Sequence, residues 1–323
     1  MREPLLPLAI DVDGTLLRSD ITQEMFWLGL LKFPWLAPKI FALIKNDRPA
    51  LKALLMPKLA DQFDPEHLPY NPLVLKYARA HKAAGGEVIL CSGSEEALIK
   101  RIANHLDDVD SGFGTSETVN LVKGNKSKFL QVRYPNGFIY MGNSTQDFDV
   151  WVDADIALAI APPKGVDTIR DKTGNPVDIL EPRESEIPTL LEAMRPAVWP
   201  YILMSILVVN FFWPPMGMSS DKMGLSGTAL AILTLMLFLS GGFLISDLRR
   251  AAAHRTHPVR RFRPLPSGRL GASTSFVVGA SLMALGIGIF ISLPNVTKAT
   301  IAVSFVTCLV GGGLISLKNR VFR

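Results

Sequence analysis

The distribution of apolar and charged residues divides the chain into two parts near residue 195. Residues 1–195 carry the ordinary mixture of charges and short apolar runs that a water-soluble αβ domain has. Beyond them, charges are absent from four long apolar stretches: Pro196–Ser220, Gly224–Ser246, Leu270–Thr297 and Ala299–Leu317. Each stretch is close to the roughly 20 residues with which a helix crosses a bilayer. The chain therefore predicts about two domains, the second being an all-α domain of four transmembrane helices.

Basic residues predict the orientation of these helices. The connection between the second and third stretches holds seven arginines: Arg249, Arg250, Arg255, Arg260, Arg261, Arg263 and Arg269. The end of the chain is also basic, whereas the other two connections hold one lysine each. Because basic connections stay on the cytoplasmic side, we expect an integral protein of the cytoplasmic membrane. Its N-terminal domain would lie in the cytoplasm and the lipid bilayer would be its partner. The arginines then account for the net charge of +5 without a nucleic-acid partner.

The first apolar run of the chain ends in two carboxylates. Pro4–Ile10 predicts a strand that is buried on both faces, and Asp11 and Asp13 follow it. Residues i and i+2 of a strand point the same way, so both carboxylates can face one site. Two close carboxylates favour a bound cation, and Mg²⁺ is the natural partner for oxygen ligands. One carboxylate could then act as a nucleophile and the other as a proton shuttle.

Residues 11–15, with the sequence DVDGT, resemble the first motif of the haloacid dehalogenase (HAD) superfamily of phosphohydrolases. The resemblance implies a Rossmann-like α/β domain and a covalent aspartyl-phosphate intermediate. It assigns the nucleophile to Asp11 and the acid and base to Asp13. Thr15 would contact the phosphate, and Mg²⁺ would be the cofactor.

A second strand, predicted at Glu87–Cys91, is followed by Ser92, Gly93 and Ser94. This segment resembles the second motif of the superfamily, in which a hydroxyl group and the amides after it bind phosphate. A hydroxyl and loop amides at the mouth of a parallel strand form an anion-binding concavity. Ser92 and Gly93 are therefore predicted phosphate-binding residues.

The third motif of the superfamily is a lysine that neutralises the charge of the nucleophile and the phosphoryl group. Lys123, Lys126 and Lys128 are the candidates in this chain. We favour Lys126, because it lies just inside the helical pattern that leads to Phe129 and Leu130. A solvated, lysine-rich turn is the alternative interpretation of this segment.

The fourth motif follows the predicted strand Gly137–Met141. Superfamily members usually carry an acid directly after the glycine and a second acid four residues later; this chain has Asn143 and Asp147 there. An amide can bind Mg²⁺ through its carbonyl oxygen but adds no negative charge. The predicted metal ligands are Asp11, Asp13, Asn143 and Asp147, with weaker metal affinity as the expected consequence of Asn143.

About 70 residues separate the first two strands, far more than a crossover helix needs. In the superfamily such an insertion forms a helical cap that excludes water and selects the substrate. Within it, Met25–Ile44 is apolar but broken by prolines and lysines. Three interpretations stay open for this stretch: the core of the cap, a helix lying on the membrane surface, and a transmembrane span.

The arginine-rich connection carries a second resemblance. Residues 245–248 and 257–268 are similar to the first aspartate-rich segment of UbiA-type prenyltransferases. Where that family has further acids after Asp247, this chain has Arg250 and His254, which repel a cation. The predicted role is binding of lipid phosphate or another anion by Asp247, Arg260, Arg261 and Arg263. The family has more spans than this chain, so a partner or an oligomer could complete the membrane domain.

The predicted organisation is a HAD-like domain at 1–180, with its cap at about 19–85, a linker at 181–195, and a UbiA-like transmembrane domain at 196–323. The predicted function is that of a Mg²⁺-dependent phosphatase acting on a phosphorylated isoprenoid-linked or sugar substrate. Two alternatives remain. One is a prenyl or phosphoribosyl transferase that uses polyprenyl phosphate and has an accessory phosphatase domain. The other is a membrane protein that has lost its enzymatic activity.

Overall fold

The computed structural model describes the chain in six segments, which are residues 5–46, 48–116, 120–166, 177–183, 185–212 and 224–321. The chain divides into two compact units. The first unit consists of Met1–Glu186 and Arg249–Ser273, and the second of Ile187–Leu248 and Thr274–Arg323. The first boundary lies close to the predicted change near residue 195. The connection 249–273, which the sequence assigns to the membrane domain, belongs to the first unit.

A sheet of six parallel strands forms the centre of the first unit. The strands are β1 (Leu8–Ile10), β2 (Val88–Glu95), β3 (Ser111–Thr115), β4 (Ile139–Gly142), β5 (Ile156–Ile160) and β6 (Val177–Glu181). Their order is β3-β2-β1-β4-β5-β6, so the direction of winding reverses between β1 and β4. In such sheets ligands bind at the carboxyl ends of the strands beside the reversal. This is the Rossmann-like architecture expected for the first domain.

Three strands differ in their bounds from the sequence prediction, and one of them is β4, which was predicted at Gly137–Met141 and lies at Ile139–Gly142. β1 begins at Leu8, and the predicted start, Pro4, lies outside the described residues. β2 continues beyond the predicted end at Cys91 as far as Glu95. It does so because Glu95 pairs with Thr115 of β3 after a shift in register.

Among the described residues before Glu186, seven helices accompany the sheet: α1 (Ile21–Lys32), α2 (Ala37–Asn46), α3 (Arg48–Leu59), α4 (Pro72–Ala83), α5 (Glu96–His105), α6 (Gly124–Arg133) and α7 (Phe148–Asp153). The first four lie in the long segment between β1 and β2, where the sequence predicts a helical insertion. Asp20 caps α1, because its Oδ1 accepts a hydrogen bond from the Gln23 amide at 2.8 Å.

The apolar stretch Met25–Ile44 folds as two helical pieces bent by 111° between Ile21–Lys32 and Pro34–Ile44. Met25, Leu28 and Ile40 are fully buried in the core of the first unit. This packing favours the cap-core interpretation of the stretch. The two pieces together are also long and apolar enough to form a broken membrane span, by length and composition alone.

Alternate residues of β1 enter two different cores on the two faces of the sheet. Leu8 and Ile10 belong to the larger cluster, which includes the side chains of α1 and α5. Ala9 belongs to a second cluster, together with Tyr140 of β4 and Trp151 of α7. Asp11 lies two residues after Ala9, so it faces the same side of the sheet, on which α6 and α7 lie.

The remaining helices are α8 (Glu186–Ala193), α9 (Trp199–Phe212), α10 (Leu225–Arg249), α11 (Ala251–Arg255), α12 (Ala272–Ser292) and α13 (Asn295–Val321). Among the described residues, three helical segments are long and apolar enough to cross a membrane: Glu186–Phe212, Leu225–Arg249 and Ala272–Ser292. Part of the first predicted stretch, residues 213–220, lies outside the described residues. The fourth predicted stretch lies within α13, which is not one of these three segments.

The helices of the second unit pack closely through small residues. The Cβ of an alanine at Gly241 of α10 would lie 2.5 Å from the carbonyl oxygen of Gly279 of α12, so the two backbones are in direct contact there. Ile202 and Ile206 of α9 are fully buried in the apolar cluster of this unit. Close contact through small residues is the usual way in which apolar helices associate in lipid.

Candidate active site

Lys126 of α6 lies at the centre of a cluster of buried polar side chains. Its Nζ donates a hydrogen bond to Asp11 Oδ1 at 2.7 Å and lies 3.3 Å from Asp147 Oδ1. Lys126 and Asp147 are almost entirely buried, whereas Lys123 and Lys128 are exposed. Of the three candidate lysines, Lys126 is therefore the one that the structure brings to the aspartates.

The burial of these groups changes their pKa values. Burial raises the pKa of Asp11 to about 7, although Lys126 lowers it, and the charges of Asp147 and Asp13 raise it further. Burial disfavours the charged form of Lys126, but the charges of Asp11 and Asp147 outweigh this effect and hold its pKa above the usual range. Burial likewise disfavours ionised Asp147, but Lys126 and the hydrogen bond from Tyr140 hold its pKa below the usual range.

Both carboxylate oxygens of Asp147 accept hydrogen bonds from neighbouring groups. Its Oδ2 accepts hydrogen bonds from the backbone amides of Asn143 and Ser144, at 3.1 and 2.9 Å, and from the Ser144 hydroxyl at 2.9 Å. Its Oδ1 accepts a hydrogen bond from the Tyr140 hydroxyl at 2.5 Å, in addition to the contact with Lys126. Both oxygens of Asp147 are therefore hydrogen-bonded, and the contact with Lys126 makes Asp147 a support for this lysine.

Asp13 lies beside the last residues of β2 and the first turn of α1. Its Oδ2 accepts a hydrogen bond from the Ser94 hydroxyl at 2.6 Å and a longer one from the Ser92 hydroxyl at 3.4 Å. Its Oδ1 accepts a hydrogen bond from the Ile21 amide at 2.8 Å. The first two superfamily-like motifs therefore meet at Asp13, as their placement after neighbouring parallel strands predicts.

The remaining predicted phosphate-binding residues also lie in this cluster. The hydroxyl of Thr15 lies 3.4 Å from Asp11 Oδ2. The carbonyl oxygen of Gly93 accepts a hydrogen bond from Lys52 Nζ at 3.2 Å. Lys52 belongs to α3 of the cap insertion, so the cap places a cation beside the end of β2 that is predicted to bind phosphate.

The donor set around Asn143 fits a divalent cation. The Oδ1 atom of Asn143 is buried and has no hydrogen-bond partner among the described residues, which leaves an oxygen acceptor available. The Asn143 amide lies directly against the backbone of Gly14. Only a residue without a side chain fits there, because a Cβ at Gly14 would lie 2.1 Å from Asn143 Nδ2. Among the ion pairs of the described residues, Asp11 and Asp147 share one ammonium group, that of Lys126, and Asp13 adds a third carboxylate to the cluster. A hard cation with oxygen ligands is the group that would balance this charge, and Asp11, Asp13 and Asn143 are the residues that would hold it.

The family model for haloacid dehalogenase-like hydrolases matches residues 8–149. This part of the chain is a haloacid dehalogenase-like hydrolase domain. The match includes β1, the cap insertion and all four motifs, and it ends directly after Asp147 and Phe148. The first 7 residues and the 174 residues after Asp149 are outside the match.

Two curated relatives match the chain at low identity. An uncharacterized protein, y4nM, of Sinorhizobium fredii is 29% identical over 284 residues, which are 88% of this chain and 54% of that protein. Decaprenyl-phosphate phosphoribosyltransferase of Corynebacterium glutamicum is 27% identical over 127 residues, which are 38% of this chain and 36% of that enzyme. The chain therefore spans about half of the first relative's length and about a third of the second's.

Among solved structures, a substrate-bound phosphoserine phosphatase has 14% sequence identity and a TM-score of 0.40. The similarity covers 58% of this chain and 98% of that chain.

Outside the HAD-like domain, Asp247 of α10 has a basic partner. Arg195 Nη2 donates a hydrogen bond to Asp247 Oδ1 at 2.6 Å, and Asp247 is buried. The Arg195 guanidinium also lies over the ring of Phe243, 4.4 Å from its centre. The buried carboxylate of Asp247 is therefore paired with an arginine of the same unit.

The predicted anion-binding arginines of the connection lie near its 3₁₀ turn Arg260–Phe262. Arg261 is exposed, and Arg260 and Arg263 are partly exposed.

Sequence reasoning missed three residues of the HAD-like site. Tyr140 bonds both Lys126 and Asp147, with its hydroxyl 2.9 Å from Lys126 Nζ. Ser94 binds Asp13, and Lys52 reaches the end of β2 from the cap. A signal for Tyr140 was present, because it lies two residues before Gly142 in a strand and therefore on the face that Ala9 and Asp11 share. No comparable signal marks Lys52, since its position depends on how the cap folds.

Proposed function

We propose that this protein is a membrane-bound, Mg²⁺-dependent phosphatase that works through an aspartyl phosphate on Asp11. The observation that carries the proposal is the contact of Lys126 Nζ with Asp11 Oδ1 at 2.7 Å. A buried ammonium group at this position neutralises the nucleophile and the incoming phosphoryl oxygens, which would otherwise repel one another. The match to HAD-like hydrolases and the hydrogen bonds that hold Asp13 are consistent with the same chemistry.

In the proposed reaction, a carboxylate oxygen of Asp11 attacks phosphorus and the bond from phosphorus to the leaving oxygen breaks. Asp13 gives a proton to that oxygen. It then takes a proton from the water that attacks the aspartyl phosphate, and this second attack releases inorganic phosphate and restores Asp11. Thr15, Ser92 and Lys126 would hold the non-bridging oxygens during both steps.

Mg²⁺ would be held by Asp11, Asp13 and Asn143, and when bound it would neutralise charge on the nucleophile and the phosphoryl group. The support for this assignment is the buried, unpartnered Oδ1 of Asn143. Because an amide replaces a carboxylate, we infer a weaker affinity for Mg²⁺ than a site with an aspartate at this position would have.

The proposed substrate is a phosphorylated isoprenoid-linked molecule or sugar that reaches the enzyme at the cytoplasmic face of the membrane. Three apolar helical segments long enough to cross a bilayer support membrane attachment. The arginine-rich connection supports the cytoplasmic placement. The partial match to an enzyme whose name includes decaprenyl phosphate supports the substrate class.

The same partial match favours a second candidate function, transfer of a prenyl or phosphoribosyl group by the second unit, with the phosphatase as an accessory. The ion pair of Arg195 with Asp247 counts against it, because a neutralised aspartate attracts Mg²⁺ and diphosphate-bound metal less strongly. A third candidate, a protein without enzymatic activity, has only Asn143 in its favour.

The proposal is tested by phosphate release from the full chain in detergent or lipid nanodiscs. The substrates would be a panel of sugar phosphates, isoprenoid phosphates and p-nitrophenyl phosphate, each with and without Mg²⁺. Mg²⁺-dependent release that disappears in Asp11→Asn would support the phosphatase. Transfer of a prenyl or phosphoribosyl group without phosphate release, lost in Asp247→Asn but not in Asp11→Asn, would support the transferase.

A further inference from the structure

Helix α1 of the cap insertion is bound to the arginine-rich connection by a buried ion pair. Arg255 Nη2 donates a hydrogen bond to Glu24 Oε1 at 2.6 Å, and both side chains are only 4% exposed. Arg255 Nε also donates to the carbonyl oxygen of Pro266 at 3.2 Å. A buried carboxylate that loses its partner is strongly destabilised, so this contact ties α1 to residues 249–273.

Ser273 makes a second contact between the connection and the same helix. Its hydroxyl donates to Gln23 Oε1 at 2.8 Å and accepts from Trp27 Nε1 at 2.9 Å. These contacts and the ion pair involve about one turn of α1, which contains Gln23, Glu24 and Trp27. The connection therefore holds the first half of the helix at two points.

The connection also contacts the segment between Asp13 and α1. A Cβ at Gly268 would lie 2.6 Å from the Cβ of Arg18, and Gly268 has a φ of +76°, which disfavours other residues. Gly268 closes the motif that resembles part of a transferase. In this structure, that motif packs against the loop that leads from the catalytic aspartates to the cap.

The N-terminus of α1 in turn supports Asp13. The Ile21 amide donates to Asp13 Oδ1 at 2.8 Å, and Asp20 caps the same helical turn. Ile21 and Glu24 are three residues apart, so they lie on adjacent turns of a rigid helix. A shift of α1 caused by the loss of the Arg255 contact would move the amide that orients Asp13.

We propose that Arg255 and Ser273 are positioning residues for the catalytic site: the connection 249–273 holds α1, and α1 holds Asp13. This inference rests on the proposed phosphatase function for its catalytic consequence, but not for its structural one. It means that the first unit is complete only with the connection between α10 and α12. The arginine-rich connection would then serve the phosphatase by orienting its general acid.

The test uses the full chain in detergent and compares Arg255→Gln, Arg255→Lys and Ser273→Ala with the wild type. Two quantities are measured: kcat and KM with p-nitrophenyl phosphate and Mg²⁺, and amide hydrogen exchange of residues 16–32. We expect Arg255→Gln to lower kcat by about tenfold, since small misplacements of catalytic groups are costly, with little change in KM. Exchange in the first turns of α1 should become faster, and Arg255→Lys should recover part of both effects.

Arg250→Gln is the matched control, because Arg250 belongs to the same connection but is exposed. It should change neither quantity. If Arg255→Gln does not fold, judged by exchange across the sheet, Ser273→Ala takes its place as the milder variant. Wild-type exchange in α1 for the folded variant, or equal effects in Arg250→Gln, would overturn the inference.

The two readouts separate this inference from the proposed function. If the wild type releases no phosphate from any substrate, the phosphatase proposal fails, whereas exchange in α1 still tests the coupling. If the wild type is active and Arg255→Gln loosens α1 with unchanged kcat, the proposed catalytic consequence is wrong while the phosphatase stands.

Discussion

The hydroxyl of Tyr140 donates to Asp147 Oδ1 at 2.5 Å and contacts Lys126 Nζ at 2.9 Å. All three side chains are buried in the HAD-like domain. Tyr140 thus lies between the catalytic lysine and the aspartate that supports it. Removing its hydroxyl should disturb the site while leaving the ring in the core.

We expect Tyr140→Phe to lower kcat for phosphate release by about tenfold, since a hydrogen bond to a charged group contributes about 1.5 to 3 kcal/mol. The midpoint of thermal unfolding should also fall, because the same buried hydrogen bond stabilises the fold. Steady-state kinetics with p-nitrophenyl phosphate measure the effect. Tyr134→Phe is the control, because its hydroxyl bonds Glu87 outside the site. Unchanged kcat in Tyr140→Phe would show that Lys126 needs no support from the tyrosine.

Asp11→Asn should abolish turnover, because the amide that replaces the carboxylate cannot attack phosphorus. Only a small residual rate should remain. The fold should persist, since the change removes a buried charge and keeps the shape of the side chain. Phosphate release and thermal unfolding of the same preparation check both statements. Near wild-type release would remove the proposed mechanism.

Asp13→Asn should slow hydrolysis of the phosphorylated enzyme as well as its formation. If the second step is slowed more, radiolabelled phosphate should accumulate on the protein and be lost when Asp11 is also changed. Labelling that persists in the Asp11→Asn, Asp13→Asn double variant would place the phosphoryl group on another residue.

Asn143→Asp should lower the Mg²⁺ concentration at half-maximal rate, because it adds a negative charge beside the proposed cation. The effect is measured by titrating Mg²⁺ against phosphate release. Asp147→Asn serves as the comparison. Because Asp147 is hydrogen-bonded to Lys126 and Tyr140, the Asp147→Asn substitution should lower kcat more than it changes the Mg²⁺ requirement. A higher Mg²⁺ requirement in Asn143→Asp would place residue 143 away from the cation.

Replacing Arg260, Arg261 and Arg263 together with Gln should weaken binding of the full chain to polyprenyl phosphate, most clearly at low salt. Activity on p-nitrophenyl phosphate should stay the same, because the catalytic residues Asp11 and Asp13 follow β1 and are not part of the connection. Binding in detergent at several salt concentrations provides the measurement, with Arg101→Gln of α5 as the control. Equal binding by the triple variant at every salt concentration would remove these arginines from lipid recognition.

Local sequence was sufficient for the parts of the fold that depend on short-range patterns. The apolar run before Asp11 predicts a buried strand, and the spacing of Asp11 and Asp13 places both on one face of it. The helical pattern around Lys126 distinguishes this lysine from its neighbours. Long uncharged stretches likewise predict helices of membrane-spanning length. Each of these properties depends on residues within about one element of one another, so their periodicity is visible in the chain.

Tertiary structure decided which distant residues meet. Glu24 and Arg255 are separated by 231 positions, and Arg195 and Asp247 by 52, so no local pattern relates them. The extension of β2 to Glu95 likewise depends on its partner strand. The break at Ser292 depends on Pro294, which cannot donate the backbone hydrogen bond of a continuing helix. The sequence determined the chemistry available at the carboxyl ends of the strands. Packing of remote segments decided how that chemistry is held in place, because a buried charge is stable only where the fold supplies its partner.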